Sequence, residues 1–199
     1  MFNALCGGDG ENGKIQKILE THRVPFTGSK SLPAALATRK ILSREIFRHV
    51  DLKTPFGHAV AHPREAEAGI TAMLSKTTPH WVIKSASLGS GIGVGVAKNV
   101  REAMEALSRA FFFDNKALIE EHIAGREFAA GIVENFRKEK YYALPVVEKV
   151  RGHELCPARV ERRTAESIQE VARRAHEALG LSHYSSSDVI VARRGIFLL

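Results

Sequence analysis

A lysine followed by a run of glycines is the part of the sequence that most directly suggests chemistry. Lys84 ends an apolar strand predicted from residue 81, and a glycine-serine turn then leads into a second, β-branched strand over residues 92–98. Glycines leave backbone N–H groups open to phosphate oxygens, while the lysine adds a positive charge and Ser90 a hydroxyl group. The segment therefore predicts a β-hairpin flap that grips a nucleotide triphosphate. The glycines are Gly89, Gly91, Gly93 and Gly95.

The same glycines are also compatible with an ordinary tight hairpin. The segment over residues 81–98 contains neither a P-loop signature nor the GxGxxG pattern of dinucleotide-binding folds, and the part after its turn is a predicted strand rather than a helix. A helix dipole is therefore not expected at this turn. Taken alone, the glycine run leaves both interpretations open.

Length and composition describe an ordinary globular chain. The 199 residues include 44% apolar and 26% charged side chains. No run approaches the roughly 20 apolar residues that a membrane-spanning helix needs, and the first residues lack the basic segment and cleavage site of a signal peptide. We therefore expect a cytoplasmic protein with one sizeable core or two small lobes, and no membrane partner.

The charge balance favours anionic ligands. The chain carries 29 Lys and Arg against 22 Asp and Glu, which gives a net charge of +7. The basic residues are scattered, and the densest groups, at 159–163 and 173–174, have no aromatic residues between them, which is typical of a solvated helix face. Nucleotides are thus the expected anionic partners, and nucleic acid is not expected.

Hydrophobic periodicity and capping residues predict alternating helices and strands without an internal repeat. A strand over residues 2–6, a glycine-rich turn and a helix over residues 14–22 are together typical of half a doubly wound α/β unit. The other predicted helices cover residues 31–50, 63–75, 99–114 and 164–179. The other predicted strands, outside the flap, cover residues 54–60, 117–123, 126–134, 141–150, 187–192 and 196–199.

Eight short segments, spread in order over nearly the whole chain, carry a family pattern. They lie at residues 2–13, 25–29, 37–40, 82–87, 119–128, 143–148, 156–158 and 183–188. Together they resemble the D-alanine-D-alanine ligases of the ATP-grasp superfamily. The resemblance implies an α/β (α+β) ATP-grasp fold with two lobes, in which ATP lies between two antiparallel sheets, and with an incomplete N-terminal lobe.

The resemblance also implies a division of the chain and an activity. Residues 1–28 would be a remnant of the N-terminal substrate lobe, residues 29–116 the central ATP-grasp subdomain with the flap, and residues 117–199 a truncated C-terminal subdomain. Such ligases use ATP and Mg²⁺, or Mn²⁺, to join two D-alanines through an acyl phosphate for peptidoglycan precursor synthesis. ATP and D-alanine are thus the implied small-molecule partners, and a homodimer is compatible with them.

Individual residues take roles from the same resemblance. Lys40 and Lys84, supplied from separate lobes, would hold the nucleotide phosphates. Ser90 and Gly91 of the flap would be catalytic, close to the substrate carboxylate. Asp188 would bind magnesium, which typically takes one or two carboxylates along with phosphates and water.

The remaining implied contacts are to the nucleotide. Glu120, Glu121 and Ile123 would lie at the edge of the adenine, and Glu127 would bind the ribose hydroxyls. Without the family pattern, the glutamates would be solvated charges at a strand end, the lysines ordinary surface residues, and the predicted metal ligand a polar residue of an edge strand. The flap residues that would contact the phosphates are Ser87 and Gly89.

The chain departs from the family pattern within its length. Ser186 stands where the resemblance requires an arginine that stabilises the developing oxyanion, and losing a donor of that kind typically costs about 2.7 to 4 kcal/mol. The segment between Glu148 and Cys156 is shorter than the family loop that closes on the site and excludes water. Cys6 replaces a histidine that contacts substrate.

The ends of the chain also depart from the pattern. The apolar residues 196–199 are typical of a buried central strand, and the family continues with Glu-Val-Asn, which carries further metal-binding groups. We therefore expect a truncated ligase that is impaired in activity. The alternative is a non-catalytic nucleotide-binding remnant, or a domain that completes its site with a partner chain.

Overall fold

The computed structural model describes residues 1–5, 7–86 and 94–199. Within them the chain forms two compact units. The first unit comprises Met1–Ala37, Ser43–Thr54 and Ala124–Leu199, and the second comprises Thr38–Leu42 and Pro55–Ile123. The three-part division predicted from the family pattern stays a prediction.

Helices and strands alternate along the described part of the chain. The helices are α1 (Lys14–Thr21), α2 (Ser31–Thr38), α3 (Lys40–His49), α4 (Ala66–Leu74), α5 (Val100–Phe113) and α6 (Arg162–Ala178). The strands are β1 (Gly57–Val60), β2 (Trp81–Ser85), β3 (Gly95–Ala97), β4 (Ala117–Glu121), β5 (Arg126–Phe136), β6 (Glu139–Ala143), β7 (Val147–Val150), β8 (His153–Leu155), β9 (Tyr184–Ala192) and β10 (Gly195–Leu198). None of these helices is long and apolar enough to cross a membrane.

The second unit is built on a four-stranded antiparallel sheet in the order β1-β4-β2-β3. Side chains alternate between the two faces of a strand, so Trp81 and Ile83 point to one face and Lys84 to the other. The first face packs against α4 and α5 to form a core in which both of these β2 residues are fully buried. Helix α5 begins where the Asn99 side chain accepts a hydrogen bond from the backbone N–H of Glu102, at 2.9 Å.

The first unit contains a six-stranded sheet in the order β10-β9-β5-β7-β8, with β6 also paired to β5. Every pair in it is antiparallel. Phe128 and Ile132 on β5 are fully buried in a core with Ile168 of α6, so the alternate residues of β5 lie on the opposite face. Helix α6 ends before Gly180, whose φ of 64° is the left-handed conformation that favours glycine after a helix.

Two predicted elements are interrupted in the structure. The predicted helix over residues 31–50 is two helices, α2 and α3, because the backbone N–H of Lys40 donates to the carbonyl of Ala86 at 3.1 Å instead of continuing one helix. The predicted strand over residues 141–150 is likewise divided into β6 and β7. Pro145 lies in the gap and has no N–H to donate to a sheet.

The predicted first strand is wrong for its described residues, 2–5, which pair with no other described strand. Instead, the backbone N–H of Asn3 donates to the Thr27 hydroxyl at 3.1 Å, and the N–H of Thr27 donates to the carbonyl of Met1 at 3.0 Å. The predicted half of a doubly wound unit is therefore wrong as well, since it requires a strand at this position.

The burial of Phe128 predicts a large effect of truncation on stability. Phe128→Ala removes a ring that is 0% exposed, so we expect the free energy of unfolding to fall by about 3 to 5 kcal/mol in chemical denaturation followed by circular dichroism. Phe136→Ala is the matched control, because this phenylalanine of the same strand is 45% exposed and its edge-to-face contact with Tyr142 is worth at most about 1.5 kcal/mol. Equal losses in the two variants would contradict the described core.

Candidate functional site

A nearly buried ion pair lies on the face of the four-stranded sheet opposite its helices. The Lys84 Nζ is 2.7 Å from the Glu120 Oε2, and their side chains are 15% and 3% exposed. Lys84 is in register with Leu118, two residues from Glu120 on β4, so the pair runs diagonally between adjacent strands. The strands therefore present one ammonium group and one carboxylate close together on a face that does not belong to the helix-packed core.

Lys40 joins this pair from the first turn of α3. Its Nζ donates to the carbonyl of Ser85 at 3.4 Å, at the end of the strand that carries Lys84. Burial lowers the pKa of Lys40, and the charge of Lys84 lowers it further, whereas the carboxylates of Glu120 and Asp114 act in the opposite direction. The two lysines and Glu120 thus form one electrostatically coupled group.

Both lysines belong to the second unit. The expectation that they come from separate lobes is therefore wrong. The reason is the helix break described above, because it places Lys40 beside the carbonyl of Ala86, two residues after Lys84. The backbone N–H of Ala86 also donates to the carbonyl of Lys116 at 3.0 Å, so both polar backbone groups of this residue are hydrogen bonded.

The coupled group of Lys40, Lys84 and Glu120, called the lysine group below, has the chemistry of a polyphosphate site. Ammonium groups bind phosphate oxygens as compact point charges, and partial burial strengthens that attraction by removing competing water. The lowered pKa of Lys40 also indicates that the folded chain holds this proton less tightly than the unfolded chain does. An added anion would therefore stabilise the charged form of this partly buried lysine, which fits the family role predicted for Lys40 and Lys84.

Glu121 is not brought to the lysine group. It is in register with Trp81, on the face that packs against the helices. Its Oε1 accepts a hydrogen bond from the backbone N–H of Phe56 at 2.9 Å, and its own N–H donates to the carbonyl of Phe56 at 2.8 Å. The Glu121 side chain therefore helps to attach the segment before β1 to β4. Ile123, 5% exposed, follows the same strand, and adenine binding by these residues stays a prediction.

Glu127 and Asp188 lie on the six-stranded sheet, on the face opposite the α6 core. Glu127 is in register with Lys149 of β7, and Ala129 with Asp188 of β9. The Lys149 Nζ reaches across β5 to the Asp188 Oδ1 at 2.7 Å. The structure therefore brings the predicted metal ligand and the predicted ribose ligand onto one face, together with a lysine that the sequence interpretation missed. Only the strand register reveals that lysine.

The opposite face of the same strands carries a second ion pair. The Arg126 Nε donates to the Glu148 Oε1 at 2.8 Å, and its guanidinium also donates to the carbonyl of Arg159 at 2.8 Å. The hydrogen bond from Arg126 lowers the pKa of the Glu148 carboxyl below its usual range. This contact connects β5 with β7 independently of the charges on the face that carries Glu127.

The described residues supply only part of the predicted metal site. Asp188 is about half exposed and contributes one carboxylate, and the described residues contain no cluster of three or more His, Cys, Asp or Glu side chains that could hold a metal. Magnesium often takes one or two protein carboxylates and completes its coordination with phosphates and water. The single carboxylate of Asp188 is compatible with such a coordination.

Several predicted positions lie outside the described ranges. These are Ser87, Gly89, Ser90 and Gly91 of the flap, and Cys6. Ser186 is described. It lies on β9 in register with Gly131, and strand alternation places it on the same face as Asp188. A longer side chain at this position would start from the face that carries the predicted metal ligand.

The chain is similar to proteins of one known family. The family described as "D-ala D-ala ligase C-terminus" matches residues 58–199. The D-alanine-D-alanine ligase of Pediococcus pentosaceus is 32% identical over 100% of this chain, which spans 58% of that relative. The ligase of Syntrophobacter fumaroxidans is also 32% identical, over 98% of this chain and 67% of its own length.

Solved structures show the same fold. The D-alanine-D-alanine ligase of Coxiella burnetii has a TM-score of 0.89 at 22% identity, over 99% of this chain and 56% of its own. VanG D-Ala:D-Ser ligase from Enterococcus faecalis has a TM-score of 0.89 at 24% identity, over 99% of this chain and 61% of its own. The ATP-grasp fold prediction is thus confirmed. By its family match and its relatives, the chain belongs to the D-alanine-D-alanine ligase family.

Proposed function

We propose that this chain provides the nucleotide-binding part of an ATP-dependent D-alanine-D-alanine ligase. The observation that carries the proposal is the coupled group of Lys40, Lys84 and Glu120 on the face of the four-stranded sheet opposite its helices. The proposed reaction converts ATP and two D-alanines into the dipeptide, ADP and phosphate, and it supplies peptidoglycan precursors. The chain spans 58% and 67% of the length of two curated ligases that it matches.

Each predicted residue takes a role in this proposal. Lys40 and Lys84 bind the phosphates, where fixed positive charge stabilises the negative charge that moves toward the leaving group. Glu127 binds the ribose and Asp188 the metal. The adenine edge is read at Glu120, Glu121 and Ile123. The flap contacts come from Ser87, Gly89, Ser90 and Gly91.

The metal in the proposal is Mg²⁺, with Mn²⁺ as a substitute. When bound, such an ion neutralises phosphate charge and orients the phosphate oxygens. Asp188 would hold it together with oxygens of the nucleotide. The protein is proposed to act in the cytoplasm on ATP and D-alanine, and a homodimer remains compatible with this activity.

Weak turnover is part of the proposal. Ser186 cannot supply the charge of the family arginine, and β7 and β8 are joined directly by a short turn at residues 151–152 where the family has a longer loop. These two features favour the second candidate, a nucleotide-binding protein that does not catalyse ligation by itself. The first candidate predicts ADP release that depends on D-alanine, whereas the second predicts nucleotide binding alone.

Nucleotide binding by the chain tests the proposal. We expect a non-hydrolysable ATP analogue to bind in isothermal titration calorimetry, and Lys84→Met and Lys40→Met each to weaken binding by about tenfold or more, the effect of losing one charge-assisted hydrogen bond. Lys140→Met is the matched control, because Lys140 forms an exposed ion pair with Glu177 in the first unit. No binding by the unmodified chain, or equal effects of all three changes, would contradict the proposal.

The pKa of Lys40 predicts a pH dependence. Because its pKa is lowered from 10.5, Lys40 loses its proton at a lower pH than an ordinary lysine, and nucleotide affinity should fall as the pH rises through that lowered value. The same shift makes the free energy of unfolding rise with pH between the lowered pKa and 10.5. Lys40→Arg keeps its charge and should retain affinity over this range in titrations at successive pH values.

Identical pH profiles for Lys40→Arg and the unmodified chain would show that Lys40 does not bind the nucleotide as a cation. Lys140→Arg serves as the control for adding an arginine elsewhere. Circular dichroism at each pH separates loss of affinity from loss of folded protein.

Ser186 predicts how turnover can be raised. Ser186→Arg restores a charged donor on the face that carries Asp188, and we expect ADP release in the presence of D-alanine to increase by roughly a hundredfold if the arginine reaches the oxyanion. Ser186→Lys and Ser186→Met test charge and bulk separately. An increase in nucleotide affinity without any gain in turnover would support the non-catalytic candidate.

A further inference from the structure

A cavity of about 310 Å³ lies within the first unit, beside the end of α1. Its volume is at the lower end of the roughly 300 to 1,000 Å³ that small-molecule sites occupy. The lining comes from the last residues of α1 and the segment that follows it, and from Ser182 and His183, which precede β9. Of the described residues to which nucleotide or metal binding is assigned, none lines this cavity. This space, called the α1 cavity below, is therefore a candidate site for a different ligand.

The charged side chains that line the α1 cavity are mostly basic. Arg23 and Lys30 contribute a guanidinium and an ammonium group, and both residues are exposed, so a dissolved anion can reach them. Glu20 also lines the cavity, but its two carboxylate oxygens already accept hydrogen bonds from Ser31. The backbone N–H of Ser31 donates at 2.8 Å and its hydroxyl at 2.6 Å. One engaged carboxylate against two cations leaves the lining with an excess of positive charge.

His183 adds a hydrogen-bond donor to this lining. Its Nδ1 accepts from the backbone N–H of Gly28 at 3.0 Å, so the neutral imidazole carries its proton on Nε2. The backbone N–H of His183 donates to the Glu134 Oε2 at 2.6 Å, and that of Ser182 donates to the Ser29 Oγ at 3.0 Å. The hydrogen bonds to Gly28 and Ser29 join the two segments that form the cavity. Its walls are therefore held in place by the fold before any ligand binds.

Two of the three basic residues have a backbone conformation that favours glycine. Arg23 has a φ of 53° and His183 a φ of 66°. Residues with a side chain are uncommon in this left-handed region, and such strained positions are frequent at ligand-binding sites. Glycine would adopt either conformation without a steric cost. The backbone alone therefore does not account for large basic side chains at these two positions, whereas an anion in the cavity would use both.

We propose that the α1 cavity binds a small phosphate monoester whose organic group is apolar. A phosphate monoester presents three strong acceptor oxygens, and the side chains of Arg23, Lys30 and His183 each supply a donor group. Residues 24–26, which are Val, Pro and Phe, line the same cavity and offer apolar contacts to the organic group. This binding goes beyond the proposed ligase function and uses no residue of the lysine group.

A titration of the ¹⁵N-labelled chain with phenyl phosphate, followed by NMR, tests the proposal. We expect saturable shifts of the Gly28 and His183 amide signals, because both residues line the cavity. Phenyl phosphate should bind more tightly than inorganic phosphate, which lacks an apolar group, and than benzoate, which has only two acceptor oxygens. Arg23→Gly and Lys30→Met should each weaken binding by roughly threefold to tenfold, the loss of one charge-assisted contact that solvent partly screens.

The left-handed conformation of Arg23 provides a control for a purely structural role. Arg23→Gly should weaken binding without lowering the melting temperature in circular dichroism, because relief of backbone strain offsets the greater freedom of glycine in the unfolded chain. Arg151→Gly is the matched variant. Arg151 is an exposed arginine of the same unit with a φ of 49°, and it does not line the cavity, so its replacement should leave binding unchanged.

The outcomes separate this inference from the proposed function. Absence of saturable shifts at Gly28 and His183, equal effects of Arg23→Gly and Arg151→Gly, or tighter binding of benzoate than of phenyl phosphate would each overturn the α1 cavity as a phosphate site. The shifts should persist in Lys84→Met, and their loss in that variant would also overturn it. Failure of the ATP analogue to bind, with the shifts at Gly28 and His183 retained, would instead overturn the proposed function and support the α1 cavity.

Discussion

The alternation of side chains along antiparallel strands is the constraint on which the rest of this structure depends. In each sheet one face is covered by helices and buried, and the charged residues proposed for the site lie on the other face. Lys84 follows the buried Ile83, and Glu127 precedes the buried Phe128. A shift of one residue in either register would exchange apolar and charged residues between the faces, so core packing also fixes where the charged groups stand.

Within the second unit, the same constraint produces a charged group that is costly to bury. Lys84 and Glu120 have lost most of their contact with water, and such a pair is tolerated because its members are close and further hydrogen bonded or charged groups surround them. Lys40 adds a second ammonium group, whose pKa is lowered chiefly by burial and then by the charge of Lys84. Residues held in an unfavourable charge environment are frequent at binding sites, because a ligand can relieve the strain that folding leaves.

The sequence predicted much of this arrangement, and its failures have identifiable causes. Periodicity located the strand that ends near Lys84 and the helix capped by Asn99, since both depend on local signals. The break before Lys40 depends on a hydrogen bond to Ala86, 46 residues away along the chain, and no local pattern encodes it. Residues 2–5 have strand-like composition but pair with none of the described strands, which a single segment cannot reveal.

Some features of the candidate site were likewise predicted from the sequence, and others were not. The family pattern identified Lys40, Lys84 and Asp188, whereas the contacts of these side chains follow from pairing registers that the sequence does not state. Lys149 was missed because its ion-pair partner, Asp188, lies on β9, 39 residues away along the chain. Glu121 was assigned together with Glu120 because the two are adjacent, although adjacency in a strand places them on opposite faces.

The two backbone hydrogen bonds of Ala86 affect how rigid the proposed anion site is. Its amide and carbonyl are tied to Lys116 and Lys40, so the chain is clamped one residue before the glycine-rich segment begins. Because Lys40 is one of these two partners and Lys84 lies two residues before Ala86, the same backbone contacts hold the main chain that carries both lysines. A proposed anion site built on these lysines would therefore be preorganised, with the separation of its two ammonium groups set by folding.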